Sequence, residues 1–377
     1  MVEVKTILME KLKLLGLDNT ALHWMKSFST GRRQSVCIDG KLSPALDLVH
    51  GLAQGSILAP LLYVLYTCDV PDLIHDHSVS ISTPQVRCEK CGSLVSYIDD
   101  NSISVSRSSA IELSETLSNE YKKIAEYMSA NKLVINDDKS HVMVFCKKSL
   151  QSEREKVSVK SGDFEIKPSI SEKLLGLHVS QDLGWRNHIL DNEKSLVKQL
   201  NSRLHGLKLI SLRASFKTRL MVANGVFSSK IVNMIQLWGG TSDFLLKSIQ
   251  KLQTKCAKTI TRTSWYTATR VVLKKCNWLS IKQLVYYHTL LSTHKAIYSG
   301  YPKYICDKFA NNHSHNTRST IHFDDHFTGK SALCSKSFCY RGAVEYDKLP
   351  IEIKRTQCSI TFKRKLKIWI LQNIAID

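Results

Sequence analysis

Acidic residues are scarce in this sequence: 33 Asp and Glu stand against 53 Lys and Arg in 377 residues, a formal net charge of +20. That imbalance argues against a cationic partner and for a polyanionic one, either nucleic acid or an anionic surface. Long apolar runs are missing as well. The longest, from Ile57 to Cys68, falls short of the roughly 20 residues that a bilayer-crossing helix needs; nucleic acid, not a membrane, is the partner expected. Gly (16) and Pro (7) are few while 43% of the residues are hydrophobic, the composition of a folded protein and not of a disordered one. The first residues, "MVEVKTILMEKLKLLGL", lack the layout of a signal peptide and interleave charged with apolar residues like an amphipathic helix. Cysteine is not scarce, but the eleven cysteines are odd in number and scattered. Without a secretion signal they read as reduced thiols of an intracellular protein, nuclear or cytoplasmic.

What is present organises the chain into two or three domains. Residues 5–30 predict a helix, with Leu8, Leu12, Leu15, Leu22 and Met25 near helical spacing. Gln34 to Ile38 reads as a strand closed by the Asp39-Gly40 turn. A Gly-containing loop then runs into an apolar helix that is expected to be buried. Ser109 and Glu112 fit a capping box. They open a helix whose apolar face is Ala110, Leu113, Leu117, Tyr121, Ile124 and Met128. "NKLVINDDKSHVMVF" predicts strand, turn, strand, and "SEKLLGLHVSQDLGW" a strand pair. Residues 1–190 are therefore expected to be mixed α+β. From Lys194 to Cys306 the pattern turns helical, with nineteen Lys or Arg and one acid, Asp243. Ordinary solvated surfaces mix both signs, so phosphate neutralisation explains this stretch better. Its aromatics Trp238, Trp265, Tyr266 and Trp278 are candidates for base stacking or for core filling. Residues 306–377 read as a loop-rich segment and a final basic helix.

The stretch "SLVSYIDDNSISVS" places Asp99 and Asp100 between two alternating runs, at the tip of an expected hairpin. Asp is a common turn residue because its side chain bonds the local backbone. Two carboxylates on a rigid hairpin also make a platform for hard divalent cations. Around them stand "GLAQGSILAPLLYVLY" before, then "NKLVINDDKS" and "KLLGLHVSQDLGW" after. In this order the four segments resemble the palm of reverse transcriptases, most closely those of non-LTR, LINE-type retrotransposons of the jockey-like kind. "ILMEKLKLLGLDNTALHWMKSFSTGRRQSVCIDG" and the region from "WLSIKQLVYYHTLL" onward also look like parts of these elements, so the resemblance covers nearly the whole chain.

The resemblance implies a partial polymerase palm over residues 1–190, a basic helical thumb over 191–305 and a C-terminal extension over 306–377. The activity implied is RNA-directed DNA polymerisation, with an RNA template, a DNA primer and deoxynucleoside triphosphates as partners. Asp99 and Asp100 would hold Mg²⁺ of a two-metal site, with Tyr97 shaping the hairpin. Gln54 and Gly55 would face the template and the nucleotide pocket. Lys139 would stand near the nucleotide phosphates; equally, it is a solvated lysine in a polar turn. Leu175 and Gly176 would belong to a strand gripping the primer. Ala53, Ala59 and Ile98 depart from the family's usual residues. The family's remaining catalytic Asp lies on a strand that would fall before Met1. The chain is thus expected to lack one metal-binding acid and to be inactive as written; a non-catalytic nucleic-acid-binding remnant is the alternative. Cys88-x-x-Cys91, with His75 and His77, is half of a zinc site at best or two reduced thiols. The His313, His315, His322 and His326 cluster reads as a polar loop.

Overall fold

The helix expected over residues 5–30 forms as two helices, because the sequence between them carries both a stop and a start. The computed structural model describes residues 4–48, 51–52, 55–73, 93–161, 164–300, 303–306, 309 and 332–375. Helix α1 (Val4–Leu14) ends where Gly16 takes a φ of 89°. The Leu17 N–H donates to the Leu12 carbonyl at 3.2 Å and the Gly16 N–H to Lys13 at 3.0 Å, which satisfies the last carbonyls around a left-handed glycine. Helix α2 (Asn19–Ser29) starts at Asp18, whose carboxylate accepts from the Ala21 N–H at 2.8 Å. Leu8 and Leu12 of α1 bury against Leu62 and Tyr66 of α3 (Leu58–Tyr66). Only these two side chains of α3 are buried; Leu61 and Val64 are exposed. The apolar helix is therefore covered on one side, not enclosed as its composition predicts.

The strand expected from Gln34 to Ile38 is split. β1 (Arg33–Gln34) pairs with β4 (Leu46–Asp47), and β2 (Cys37–Ile38) with β3 (Lys41–Leu42). At the break the Val36 N–H donates to the Ser43 hydroxyl at 3.0 Å. The Asp39-Gly40 turn forms as expected, with φ of 49° and 80°, the double positive that a two-residue hairpin favours.

β5 (Ser93–Tyr97) and β6 (Asp100–Ser104) form the expected hairpin. It leads to α4 (Ala110–Ala130), capped by Ser109, whose hydroxyl accepts from the Glu112 N–H at 3.2 Å. The Glu112 carboxylate accepts instead from the Ser108 hydroxyl at 3.0 Å, so the box is half formed. "NKLVINDDKSHVMVF" makes no strand pair: Asp137–Lys139 form a short 3₁₀ turn, and Val142 makes a single bridge to Pro168. Proline has no N–H with which to extend that ladder. β7 (Val159–Ser161) pairs with β8 (Phe164–Ile166). The outer amides before and within β7, at Ser158 and Lys160, donate to the Ser114 and Ser118 hydroxyls of α4 at 3.2 and 3.1 Å, which occupies a strand edge with helix side chains.

The chain divides into two compact units, up to Ser169 and from Ile170. This division precedes the charge boundary near residue 190. The second unit opens with the expected strand pair, β9 (Ser171–Leu174) and β10 (Leu177–Ser180). Leu177 enters the main core with Ile189, with Leu196, Leu200, Leu204 and Leu207 of α5 (Leu196–Ser211), and with Trp238. Helix α6 (Asp243–Thr261) adds Leu245, Ile249, Leu252, Cys256 and Ile260, three and four residues apart as a buried stripe requires. Helix α7 (Thr269–Cys276) follows. Helix α8 (Ile281–Ser299) starts with a complete capping box, Ser280 and Gln283. Its Leu290 joins a second core with Tyr346 of α9 (Phe338–Asp347) and with Phe362, Leu366 and Ile370 of α10 (Ser359–Asn373), the expected final basic helix. All described strands pair in two-stranded ladders beside the helices, consistent with an α+β class.

Candidate active site

The strand register of the β5–β6 hairpin puts the Asp pair at its tip. Tyr97 stands opposite Asp100, which leaves Ile98 and Asp99 as a two-residue loop. Ile98 has a φ of 57°, a region that β-branched residues rarely enter. Strain of this kind persists where the surrounding structure over-determines the backbone. The cross-strand pair Leu94–Ile103 provides that hold, packing with Val70, Ile124 and Met128. Alternation then sends Val95 and Tyr97 to the opposite face. They are 61% and 59% exposed. Asp100 shares that face with Tyr97, and both carboxylates are exposed.

Helix α3 lies within electrostatic reach of this tip. The Tyr63 phenol is pushed above its ordinary pKa first by burial and then by the negative charge of Asp99. Before the helix, Gly55 has a φ of 81° with open space where a Cβ would stand. Its backbone conformation, not crowding, is what requires glycine. Ser56 caps the helix start by accepting from the Ala59 N–H at 3.1 Å. Gln54 and Ala53 lie outside the described residues, as do His75, His77, Cys88 and Cys91 and the four histidines from His313 to His326.

One set of residues has no signal in the sequence. Lys11 Nζ donates to both oxygens of Asp69, to the Tyr66 carbonyl at 2.7 Å and to the Tyr127 hydroxyl at 2.7 Å. Its ammonium also lies 5.1 Å and 4.9 Å from the Tyr66 and Tyr127 ring centroids. Burial opposes the charge on Asp69, but the Tyr127 and Lys11 hydrogen bonds outweigh it and lower its pKa. Tyr127 is pushed up by burial and then by its bond to Asp69. The network clamps α1, the end of α3 and α4 together beneath the hairpin. Partners as far apart as Lys11 and Tyr127 leave no local pattern to read.

Lys139 closes the 3₁₀ turn, its N–H donating to the Asn136 carbonyl at 3.1 Å, and its side chain is exposed. The turn is tied to α4 by the Tyr121 hydroxyl, which donates to Asp137 at 2.7 Å. No described contact joins Lys139 to the Asp pair. In the second unit, Leu175 and Gly176 are the two loop residues of the β9–β10 hairpin, with φ of 48° and 86°. They form the turn, and the pairing strands flank them.

The donor set at the tip consists of two hard carboxylates, which fit a cation that keeps several waters, as Mg²⁺ does. Among the described residues no third His, Cys, Asp or Glu joins them. In the basic region the four candidate aromatics separate clearly. Trp238 is fully buried, and Trp278 is half-buried with its indole N–H on Asn224 at 2.9 Å. Trp265 and Tyr266 are 65% and 94% exposed. No described helix is long and apolar enough to cross a membrane.

Residues 5–179 match the model of a family described as reverse transcriptase (RNA-dependent DNA polymerase). The match ends inside β10 and so includes both hairpins. The chain is 24% identical over 242 residues to a probable RNA-directed DNA polymerase from transposon X-element of Drosophila melanogaster, covering 64% of this chain and 25% of that protein. It is 26% identical over 250 residues to the RNA-directed DNA polymerase from mobile element jockey of Drosophila funebris, covering 65% and 25%. A probable RNA-directed DNA polymerase from transposon BS of Drosophila melanogaster is 23% identical over 269 residues, covering 70% and 28%. The chain thus spans about a quarter of the length of these relatives.

Proposed function

We propose, from the match of residues 5–179 to the reverse transcriptase family model, that this chain is polymerase sequence of a jockey-like, non-LTR retrotransposon, built for RNA-directed DNA synthesis. The observation that carries this reading is the Asp99–Asp100 tip, set by the Tyr97–Asp100 register, packed on the core through Leu94 and Ile103, and within reach of α3. Residues 1–190 serve as palm, 191–305 as basic thumb and 306–377 as extension. The partners are an RNA template, a DNA primer and deoxynucleoside triphosphates.

In this reading Asp99 and Asp100 hold Mg²⁺, and Tyr97 flanks them on the exposed face. Bound divalent cations would supply activation of the primer 3′-hydroxyl and neutralisation of the departing pyrophosphate. Gly55, just before α3, borders the template and nucleotide, and Gln54, outside the described residues, takes the same role from its place in the sequence motif. Lys139 meets the nucleotide phosphates, and the Leu175-Gly176 hairpin supports the primer strand.

A second reading, a nucleic-acid-binding protein without polymerase activity, draws on one observation: among the described residues the pair has no third acid beside it. Two carboxylates leave most of the coordination to water, too weak a hold for both ions of an in-line displacement. The expected behaviour is that the chain binds an RNA–DNA primer–template but does not extend it. Primer extension in Mg²⁺ and in Mn²⁺ tests this. Extension that disappears in Asp99→Asn would establish a complete catalyst, whereas binding without extension leaves the second reading in force.

A further inference from the structure

Most of the length of α6 carries lysines along one ridge, and the ridge borders a groove of roughly 590 Å³. Lys247, Lys251, Lys255 and Lys258 follow one another at intervals of four, four and three residues, so they line one face over about 16 Å of helix. Lys247, Lys251 and Lys255 have no ion-pair partner among the described residues. The one acid on the lining, Asp243, stands at the end of the row. Trp265 closes the other end. Its carbonyl accepts from Lys258 Nζ, and its ring centroid lies 5.1 Å from Lys258 Nζ and 5.8 Å from Lys255 Nζ. Most of the indole remains open to solvent.

The opposite wall is fixed in place. Gln250 Oε1 accepts from the Ile281 N–H at 2.8 Å, and Gln253 Nε2 donates to the Leu279 carbonyl at 2.9 Å. These bonds hold the start of α8 against α6, and Lys282 joins the lining from that side. A row of cations one helical turn apart, ending on an exposed aromatic plane, has the two parts of a single-strand site: phosphate neutralisation along the backbone and a platform for a base. Inside a duplex the bases stay stacked on each other, so away from its two ends it offers no face to an indole.

We propose that this groove binds single-stranded nucleic acid without sequence preference, phosphates on Lys247, Lys251 and Lys255 and one base on Trp265. This site rests on the reading of the chain as a nucleic-acid-binding protein, and is separate from the hairpin. Binding by the full chain is measured with a labelled oligo(dT), which has no secondary structure, and with a blunt duplex of equal length. Trp265→Ala is expected to weaken oligo(dT) binding roughly five- to hundredfold, with Trp265→Phe retaining most of the affinity and duplex binding little changed. The Lys247→Gln, Lys251→Gln variant is expected to reduce the slope of log affinity against log salt by about 1 to 1.5. Unchanged oligo(dT) affinity in Trp265→Ala, or an equal loss for duplex and single strand, overturns the assignment. Wild-type binding to duplex but not to oligo(dT) sinks this site alone; binding to neither sinks the nucleic-acid reading with it. Phosphatidylserine vesicles that bind and are not displaced by oligo(dT) would give the groove to a membrane surface and also overturn it.

Discussion

Lys11 Nζ stands 2.9 Å from one carboxylate oxygen of Asp69 and 3.0 Å from the other, joining positions 58 residues apart. The lysine is largely buried while the carboxylate is about half exposed. Lys11→Met keeps the aliphatic stem but removes four hydrogen bonds, leaving Asp69 and Tyr127 to rearrange. The expected cost is about 2 kcal/mol of stability. In urea unfolding the Lys11→Met, Asp69→Asn double variant should lose less than the sum of the two single ones, by about 1 kcal/mol. Strict additivity would show that the two side chains contribute through packing alone.

Asp99 acts on Tyr63 through its charge. Asp99→Asn removes that charge and leaves the burial, so the Tyr63 phenol should titrate at a lower pH than in the parent chain. The shift is read from the ¹³Cζ tyrosine resonance in an alkaline NMR titration. It reports where α3 lies relative to the hairpin tip without depending on catalysis. An unmoved Tyr63 would mean that the tip and the helix are farther apart than described.

Ile98 holds a left-handed φ that costs an L-residue about 1–2 kcal/mol. Asn enters this region readily. Ile98→Asn is therefore expected to stabilise the chain by roughly 0.5–1 kcal/mol, less whatever apolar burial the isoleucine contributes. If the strain serves to aim the carboxylates, the same change should weaken Mn²⁺-induced broadening of NMR signals around Asp100. Lower stability in the variant would show that Ile98 is held by packing stronger than its backbone cost.

Two buried histidines contribute to the acid side of the stability profile. His188 is pushed down to about 4 by burial, then by His178 and Lys230. His294 is pushed down to about 4 by burial, partly offset by the Thr356 backbone, with its Nδ1 2.9 Å from the Tyr346 hydroxyl. The unfolded chain takes up these protons near pH 6.5 and the folded chain does not. Their contribution is therefore complete above about pH 6.5 and is lost as the pH falls towards 4, at most about 3 kcal/mol for each. Urea midpoints between pH 7 and 4.5 should fall steeply, and a His188→Gln, His294→Gln variant should flatten that slope. A flat profile in the parent chain would refute this account.

The sequence by itself determined what short-range rules govern. Asp39-Gly40 had to turn, since both residues tolerate a positive φ. The four-residue spacing from Leu196 to Leu204 had to make a helix with one buried face. Ser109 had to cap α4, as its hydroxyl does. The ordered Asp pair, Gly55 and Leu175-Gly176 segments carried the resemblance to reverse transcriptases. Tertiary structure alone decided which face of a strand meets the core. Both faces of the β5–β6 hairpin carry apolar residues, yet Leu94 and Ile103 are packed inside while Val95 and Tyr97 are exposed, because alternation fixes only that the faces differ. It also decided that Trp238 fills a core while Trp265 stands open, although both lie in the same basic stretch. The clamp of Lys11, Asp69 and Tyr127 belongs to the same class, because ion pairs between distant segments form only after the helices that carry them have packed.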